Sequence, residues 1–304
     1  MIFQRQSKSN LAHRTEQLKG FLSGVECVGN HINGDGLRFS IVMPSYNQAK
    51  YIERSILSVL GQGYGNLELI VIDGGSTDGT VEVIKRYEKF ITYWHSGPDR
   101  GQSDALNHGF SKATGDVFGW LNSDDLYFPS AIKRVHNVFC SGRRPSVVYG
   151  DWLSIDAYDR VFSENYSFDF SLGQFIYEGF HLNSQAMFWT REAHQRFGEF
   201  DVRLHRTMDY DLIVRLGLNE GEKSFYRIPY PLACFRRHEE QKTREHEKNS
   251  ELGFDPMVLS EHKYIATKSG FPDKFTRIGE IKRLAYRLRR AYWYMKRGGI
   301  GYRY

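Results

Sequence analysis

The chain has 304 residues, of which 40% are hydrophobic and 25% charged, and its formal net charge is +5. These proportions are ordinary for a soluble globular protein, and the length allows one large domain or two of average size. So small an excess of positive charge does not indicate nucleic acid, and we predict no nucleic-acid partner. We expect neither a signal peptide nor a segment that spans a bilayer.

The first predicted elements form a strand, a loop and a helix. Residues 1–36 are interpreted as a polar leader with at most a short helix around residues 11–22. Residues 37–43 form a buried run that predicts the first strand, ended by Pro44. The loop Pro44-Ser45-Tyr46-Asn47 follows, and apolar residues at helical spacing then predict a helix over residues 48–60.

The second predicted strand covers residues 67–72 and ends in Asp73, followed by Gly74 and Gly75. A carboxylate at the C-terminal end of a strand, followed by glycines, allows the backbone to approach a ligand closely. We therefore predict that Asp73 contacts a ligand. A short helix is predicted over residues 81–87.

A third strand is predicted over residues 91–94, and a polar loop over residues 96–104 leads into a helix. Arg100 and the N-terminus of that helix could hold a phosphate group. The alternative is a surface loop in which Ser103 or Asp104 caps the helix, and the spacing alone leaves both open.

The fourth predicted strand, residues 117–121, breaks abruptly into Asn122-Ser123-Asp124-Asp125. Two adjacent carboxylates at the end of a buried strand repel each other unless a cation or a positive dipole lies between them. Oxygen ligands of this kind suit Mg²⁺ or Mn²⁺, which substrate phosphates often complete. A turn followed by a helix cap is the competing interpretation.

Strands and helices alternate from residue 37 to residue 150, with a further helix predicted over 131–140 and a strand over 147–149. This alternation predicts the α/β class: a doubly wound, mostly parallel sheet with helices on both faces. The three polar strand ends then fall on one edge of the sheet, which is where such sheets bind ligands.

After residue 151 the pattern loosens. We predict, in order, a hairpin, a strand, a short helix, an amphipathic helix and a strand, over residues 151–167, 181–189, 191–197, 207–216 and 225–235. Asp209 and Asp211 lie in the first turn of the amphipathic helix, where an acidic residue also interacts favourably with the helix dipole. The last strand ends at Arg236-Arg237-His238, and residues 239–248 are interpreted as a solvated helix or a mobile loop.

Residues 281–304 combine many basic residues with apolar residues at helical spacing. A basic amphipathic helix of this kind fits an anionic membrane surface, and a helix packed on the domain with a solvated basic face is an equal alternative. The three cysteines show neither disulfide nor zinc spacing, which favours a reducing compartment. We therefore expect a cytoplasmic protein, with a position on the inner face of the cell membrane if this segment binds lipid.

Several of these segments match one pattern together and in order: residues 41–47, 70–80, 99–107, 120–125, 208–212 and 236–238. In this respect the chain resembles the family 2 glycosyltransferases with a GT-A fold. The resemblance implies inverting transfer of one sugar from a nucleotide diphosphate sugar, with UDP favoured, to a saccharide or lipid-linked saccharide. It also suggests surface polysaccharide or glycolipid synthesis. The implied division is a leader (1–36), a nucleotide-sugar-binding half (37–150), an acceptor and catalytic-base half (151–245) and a C-terminal extension (246–304).

The resemblance also implies roles for individual residues. Asp209 falls where the family places its general base. Asn122-Ser123-Asp124 occupies the Asp-X-Asp site for ribose and metal, with Asn in place of the first Asp. Asp124 is therefore the strongest candidate ligand for Mn²⁺ or Mg²⁺, with Asp125 beside it and His238 as a further donor-site or metal residue. The positions implied for the nucleotide sugar are Pro44, Tyr46, Asn47, Asp73, Arg100, Asn122, Ser123 and Asp124.

Two other classes of protein compete with this interpretation. A sugar nucleotidyltransferase needs a Gly-rich phosphate loop with a basic residue directly after the first strand, and Pro44-Ser45-Tyr46-Asn47 does not provide one. A non-catalytic carbohydrate-binding protein would be expected to lose Asp124 or Asp209, and both are present.

Overall fold

A computed structural model describes residues 8–25, 36–179, 182–241, 255–273 and 276–296. Its strands are β1 (Phe39–Ser45), β2 (Leu67–Asp73), β3 (Tyr93–Ser96), β4 (Val117–Trp120), β5 (Leu126–Tyr127), β6 (Val147–Ile155), β7 (Val161–Asn165), β8 (Met187–Thr190) and β9 (Phe225–Arg236). Its helices are α1 (Lys8–Ser23), α2 (Ile52–Leu60), α3 (Thr80–Arg86), α4 (Gln102–Lys112), α5 (Ala131–Phe139), α6 (Leu172–Glu178), α7 (Arg191–Phe197), α8 (Met208–Glu220), α9 (Pro256–Ser269) and α10 (Arg277–Lys296).

All of these strands belong to one sheet. The order across it is β3-β2-β1-β4-β8-β6-β9-β5, with β7 paired to β6. Strands β3, β2, β1 and β4 are parallel neighbours, so their carboxyl ends meet at one edge. Strand β8 runs antiparallel to both of its neighbours, and β9 runs parallel to β6. The predicted α/β class and doubly wound, mostly parallel sheet are thereby confirmed.

Helices cover both faces of the sheet because successive strand residues point to opposite sides. The core on one face includes Val42, Ile72, Phe110 and Leu212 from β1, β2, α4 and α8. The core on the other face includes Ile41, Val71, Ile56 and Ile132 from β1, β2, α2 and α5. A Cβ atom at Gly109 would collide with the side chain of Val42, so this glycine allows α4 to lie directly against β1.

The first strand runs two residues further than predicted. Pro44 pairs with Ile72 and the strand continues to Ser45, although a proline was expected to end it. Strand β4 pairs with β1 only as far as Val42, so Pro44 lies beyond the end of that neighbour. Its missing N–H therefore costs no bond to β4.

The second half of the chain extends the same sheet. The predicted hairpin is confirmed as β6 and β7, in which Trp152 pairs with Asn165. The boundary predicted at residue 150 falls inside β6, so the two predicted halves share one sheet. The strand predicted from residue 181 begins only at Met187, because residues 184–186 form a 3₁₀ turn in which the Asn183 side chain accepts from the Gln185 N–H. His181 lies outside the described residues.

The chain ends of the described structure are helical. The helix predicted in the leader is confirmed as α1, which buries Leu18 and Leu22 against the β6–β7 hairpin. Helix α9 was not predicted; Asp255 caps its N-terminus and Gly270 ends it.

Most of the mixed-charge segment 239–248, from residue 242 onward, lies outside the described residues, as do residues 297–304 of the basic C-terminal segment. None of the helices in the described ranges combines the length and the apolar character needed to cross a bilayer.

Candidate active site

The ends of β1 and β2 are joined by hydrogen bonds between the loops that follow them. The Asn47 N–H donates to Ser76 Oγ over 2.7 Å, and the Thr77 N–H donates to Asn47 Oδ1 over 3.0 Å. Asn47 adopts a φ of 51°, which Asn tolerates better than most residues. Tyr46 is 63% exposed beside this junction, so its ring is available to a ligand.

Asp73 is fully buried at the end of β2. Its carboxylate accepts from the Gly75 and Ser76 N–H groups and from the hydroxyls of Ser76 and Ser96, over 2.5 to 3.1 Å. These four donors use most of the accepting capacity of a carboxylate. Oδ2 accepts three of these bonds and Oδ1 accepts one, so Oδ1 is the oxygen with accepting capacity left for a ligand N–H.

The end of β4 meets the end of β9 through Asp124 and His238. His238 Nε2 lies 3.0 Å from Asp124 Oδ2, and the imidazole is 4% exposed. His238 Nδ1 is buried without a hydrogen-bond partner among the described residues. The ring of Tyr51 packs on the imidazole with a centroid distance of 4.5 Å. The resemblance implied Asp124, Asp125 and His238 as metal residues, and Asp124 and His238 are the two of these that meet here.

Arg236, 1% exposed, holds the same turn from behind. Its Nε donates to the Asp124 carbonyl over 2.6 Å and its Nη1 to the Asp156 carbonyl over 3.0 Å. Its Nη2 forms a 2.6 Å ion pair with Asp159, and the guanidinium lies 4.9 Å from the centroid of the Tyr51 ring. Arg236 therefore fixes the backbone on both sides of the Asp124–His238 pair.

Asp125 faces inward, away from this pair. It is 1% exposed, and its carboxylate accepts from the Arg236 N–H over 2.8 Å and from the Asn122 amide over 3.3 Å. Burial and the neighbouring charge of Asp124 raise the pKa of the Asp125 carboxyl well above its usual range. In this arrangement Asp125 links β4 to β9, and it is not oriented to share a ligand with Asp124.

Asn122 occupies the centre of a polar network. Its Oδ1 accepts from Gln102 Nε2 and from Trp120 Nε1, each over 2.7 Å, and its backbone N–H donates to Gln185 Oε1 over 2.6 Å. Its Nδ2 is the donor to Asp125. An aspartate at this position would accept the bonds from Gln102 and Trp120 equally well. It would lose the bond that the Asn122 amide donates to Asp125. Asn122 therefore suits a position beside the buried Asp125 carboxyl, which needs a hydrogen-bond donor.

Ser123 lies between Asn122 and Asp124 and is 3% exposed. Its carbonyl accepts from Ser55 Oγ of α2 over 2.9 Å, which anchors the turn to that helix. The Ser123 side chain, which the resemblance implies for contact with the nucleotide sugar, is thus buried.

The loop 97–104 carries Arg100 at the sheet edge. The Arg100 side chain is 71% exposed and bonds bidentately to Asp104, with a shortest distance of 2.7 Å. That hydrogen bond holds the pKa of Asp104 below its usual value. Asp99 lies against Gly74, where a Cβ atom would be 2.9 Å from its carboxylate, and burial raises its pKa. Helix α4 begins after Gly101 without a side-chain cap, so the alternative that Ser103 or Asp104 caps it is wrong, and Arg100 is exposed close to the Asp73 loop.

Contacts through the first turn of α4 connect Asp209 to the strand ends. Gln102 bonds to Asn122, and the adjacent Ser103 donates from its hydroxyl to Met208 Sδ over 3.3 Å. Asp209 follows Met208 in the first turn of α8 and is partly exposed. Two consecutive α4 residues therefore bridge the Asn122 turn and the start of α8.

The start of α8 is held by a carboxylate that the sequence did not reveal. Glu261 of α9 is 6% exposed and accepts from the N–H groups of His205, Arg206 and Thr207 and from the Thr207 hydroxyl, over 2.8 to 3.0 Å. Four donors fix the loop that leads into α8 and hence the position of Asp209.

Two cavities flank the strand ends. A cavity of about 800 Å³ is lined by the 97–104 loop, including Asp99 and Arg100, and by residues 199–202. A second, of about 690 Å³, lies between α1 and α2 and is lined in part by Tyr51, Arg54 and Arg236. The second cavity therefore lies directly behind the Asp124–His238 pair.

The donor set suits a hard divalent cation. Among the described residues no group of three or more His, Cys, Asp and Glu side chains is arranged to hold a metal ion. Mg²⁺ is commonly bound by one or two carboxylates together with substrate phosphates and water, so the Asp124–His238 pair fits a site completed by a ligand. A histidine that binds a metal usually donates its other ring N–H to an acceptor, and His238 Nδ1 has no such partner among the described residues, so Asp124 is the stronger candidate ligand of the two.

The sequence did not predict three residues that position the site residues by hydrogen bonds, namely Gln102, Gln185 and Glu261. Each contacts the site across a large sequence separation, from 20 residues for Gln102 to 63 for Gln185. Gln185 is 2% exposed, but it follows Asn183 and Ser184 in the sequence, so no local pattern distinguished it as a buried residue.

The sequence model of glycosyl transferase family 2 matches residues 40–197, more than half of the 304-residue chain. An uncharacterised glycosyltransferase of Rickettsia typhi is 33% identical over 186 residues, which cover 57% of this chain and 56% of the relative. The chain thus spans little more than half the length of that relative.

Solved structures share the fold. S. aureus TarS 1–349 in complex with UDP-GlcNAc superposes with a TM-score of 0.60 at 17% identity, covering 76% of this chain and 66% of that one. Glucosyl-3-phosphoglycerate synthase of Mycobacterium tuberculosis, in complex with Mn²⁺, UDP and glucosyl-3-phosphoglycerate, gives 0.52 at 16% identity and covers 85% of each chain. At this level of identity the likeness shows a common GT-A fold.

Proposed function

The chain belongs to glycosyl transferase family 2, and we propose that it transfers one sugar from a nucleoside diphosphate sugar to an acceptor hydroxyl with inversion at the anomeric carbon. The observation that carries the proposal is the Asp124–His238 pair at the carboxyl edge of the parallel strands. Ligands of open α/β sheets bind at this edge, and the pair offers a carboxylate and an imidazole to a cation on the diphosphate.

The donor proposed is a UDP-sugar held by Mn²⁺ or Mg²⁺. Two structures with this fold contain UDP-GlcNAc, or UDP with Mn²⁺, which supports this choice of ligands. Pro44, Tyr46 and Asn47 would border the nucleoside, with Asp73 supporting the loop from below. Arg100 and Asn122 would line the path to Asp124 and His238, and Ser123 would hold the turn in place through its carbonyl. Asp125 would keep its hydrogen bond with the Arg236 N–H and so link the two loops.

The reaction needs one base and a stabilised leaving group. Asp209 takes the proton of the acceptor hydroxyl while that oxygen forms a bond to the anomeric carbon. The bond from the anomeric carbon to the diphosphate oxygen breaks from the opposite face, and the electron pair leaves on the nucleoside diphosphate. When bound, the divalent cation neutralises the charge that develops there. A single displacement of this kind inverts the configuration.

The acceptor proposed is a saccharide or a lipid-linked saccharide of a surface polysaccharide or glycolipid. It would enter from the side of α8, because the proposed base lies in the first turn of that helix. The contacts of Glu261 with residues 205–207 support a rigid approach to this base.

The test is release of nucleoside diphosphate from a panel of nucleotide sugars in the presence of Mn²⁺, followed by NMR assignment of the product anomer. We expect metal-dependent release from at least one UDP-sugar and an inverted product. Binding of donors without release from any of them would support the carbohydrate-binding alternative. Release of pyrophosphate from a sugar phosphate and a nucleoside triphosphate would support a nucleotidyltransferase instead.

A further inference from the structure

The C-terminal helix α10 presents an apolar stripe to solvent. It consists of large side chains that are each 59–65% exposed, namely Ile278, Ile281, Leu284, Leu288 and Tyr292. Their spacing of three or four residues places them on one face of the helix. A run of exposed apolar side chains of this length is unusual on a soluble protein and indicates an interaction surface.

The opposite face of α10 is the one that packs on the protein. Tyr286 stacks on Tyr177 of α6 with a centroid distance of 6.0 Å, and Lys282 Nζ donates to Tyr177 Oη over 3.3 Å. A Cβ atom at Gly173 would collide with the Tyr286 ring, so this glycine allows α6 and α10 to approach closely. Tyr286 and Leu288 point roughly 160° apart around the helix, so the stripe faces away from the domain.

The charge of α10 favours an anionic surface as the partner of the stripe. The 20-residue helix contains seven Lys or Arg residues against one acidic residue, Glu280. Arg287 and Arg289 are exposed. A second copy of the chain would bring two strongly basic helices together, which is unfavourable. Anionic headgroups instead neutralise the basic side chains while the apolar stripe enters the boundary with the acyl chains.

We propose that α10 is a membrane-binding helix that lies in the plane of an anionic lipid surface, with Ile281, Leu284 and Leu288 inserted. The packed face formed by Lys282 and Tyr286 would remain on α6, so the helix binds lipid without leaving the domain. This inference does not depend on the proposed transfer reaction, because it rests on exposure, packing and charge alone.

The first test is flotation of the full chain with vesicles of phosphatidylcholine, with and without phosphatidylglycerol. The wild-type chain should float with the anionic vesicles, and the double variant Leu284→Gln/Leu288→Gln should partition at least about tenfold more weakly, because two apolar side chains no longer leave water. The matched control is Leu218→Gln/Met257→Gln, which changes side chains that are 49% and 44% exposed on α8 and α9. The control should bind like the wild type.

The second test addresses charge. The variant Arg287→Glu/Arg289→Glu should lose binding to the anionic vesicles by about tenfold or more, and high salt should weaken wild-type binding. The variant Lys85→Glu/Lys133→Glu makes the same change on exposed residues of α3 and α5 and should retain binding.

Two results would overturn the proposal. Equal flotation of the wild type and of both α10 variants would remove the helix as the lipid contact. Failure of the wild type to float, together with self-association in sedimentation equilibrium that Leu284→Gln/Leu288→Gln abolishes, would assign the stripe to a second copy of the chain.

Discussion

His238 Nε2 lies 3.0 Å from Asp124 Oδ2, and this contact joins the ends of β4 and β9 across 114 residues of sequence. The two strands are not neighbours in the sheet, so the contact depends on the loops that follow them. Arg236 and Asp125 hold those loops together from within through the Arg236 N–H. The geometry of the proposed cation site is therefore set by buried groups that do not themselves face the ligand.

Replacing Arg236 should disturb the cation site without removing a ligand. Arg236→Lys keeps the charge but loses the rigid set of donors that reaches the Asp124 and Asp156 carbonyls. We expect the affinity for UDP with Mn²⁺ to fall by about tenfold and the free energy of unfolding by about 1–3 kcal/mol. Calorimetric titration and urea unfolding measure the two effects. Arg237→Lys changes the exposed neighbour and should leave both unchanged; if the two variants bind UDP equally, Arg236 has no positioning role.

Restoring the acidic first position of the Asp-X-Asp site should destabilise this protein. Asn122→Asp removes the amide that donates to Asp125 and places two carboxyl groups in contact. We expect the free energy of unfolding, measured in urea with a chelator at neutral pH, to fall by about 1–3 kcal/mol. Asn137→Asp makes the same change on the exposed surface of α5 and should have little effect. An unaltered or higher stability of Asn122→Asp would argue against the network.

The sequence predicted the edge of the sheet because that edge is encoded locally. The buried runs before Asp73 and Asn122 end abruptly in polar residues, and the alternation of strands and helices places both ends on one side. The same pattern predicted that the loops at this edge carry polar and acidic side chains. Among the first four strands the ends of elements shifted, as at Pro44, where the short pairing of β4 with β1 determines whether a proline is tolerated.

The orientation of the site residues could not be read in the same way. Nothing local distinguishes Asp124, which meets His238, from Asp125, which turns toward Arg236. Likewise, Asp73 is engaged by hydroxyls from its own loop and from Ser96, 23 residues away. Such assignments depend on contacts between distant segments, which a single sequence does not specify.

Removing the proposed base should abolish transfer and retain donor binding. In Asp209→Asn the side chain keeps its size but cannot accept a proton from the acceptor hydroxyl, so kcat should fall by about 10²- to 10⁴-fold. The dissociation constant for UDP with Mn²⁺ should stay within about twofold of the wild type, because no proton is transferred on donor binding. Asp169→Asn alters an exposed aspartate and is the matched control. Near-normal turnover by Asp209→Asn would transfer the role of base to another group.

His194 should make stability depend on pH. Its ring lies among aromatic side chains, with Phe110 at 4.8 Å, and burial, with a smaller effect of Arg215, lowers its pKa from 6.5 to about 4. Between these values the unfolded chain binds more protons than the folded one, so acidification destabilises the fold. The contribution of His194, fully present above pH 6.5, should decline by up to roughly 3 kcal/mol as the pH approaches 4.

Urea unfolding at a series of pH values measures this effect. His194→Gln should flatten the decline between pH 6.5 and 4 relative to the wild type, whereas His13→Gln, which changes an exposed histidine of α1, should not. Parallel curves for the wild type and His194→Gln would show that His194 is not the group responsible.

The most direct test of the proposed cation site is titration of UDP into the wild type, Asp124→Asn and His238→Gln, each with Mn²⁺ and with a chelator. If the Asp124–His238 pair holds the cation on the diphosphate, wild-type affinity should fall at least about tenfold on chelation, and each variant should show little difference between the two conditions. Equal UDP affinity with and without Mn²⁺ in the wild type, or undiminished metal dependence in both variants, would contradict the account.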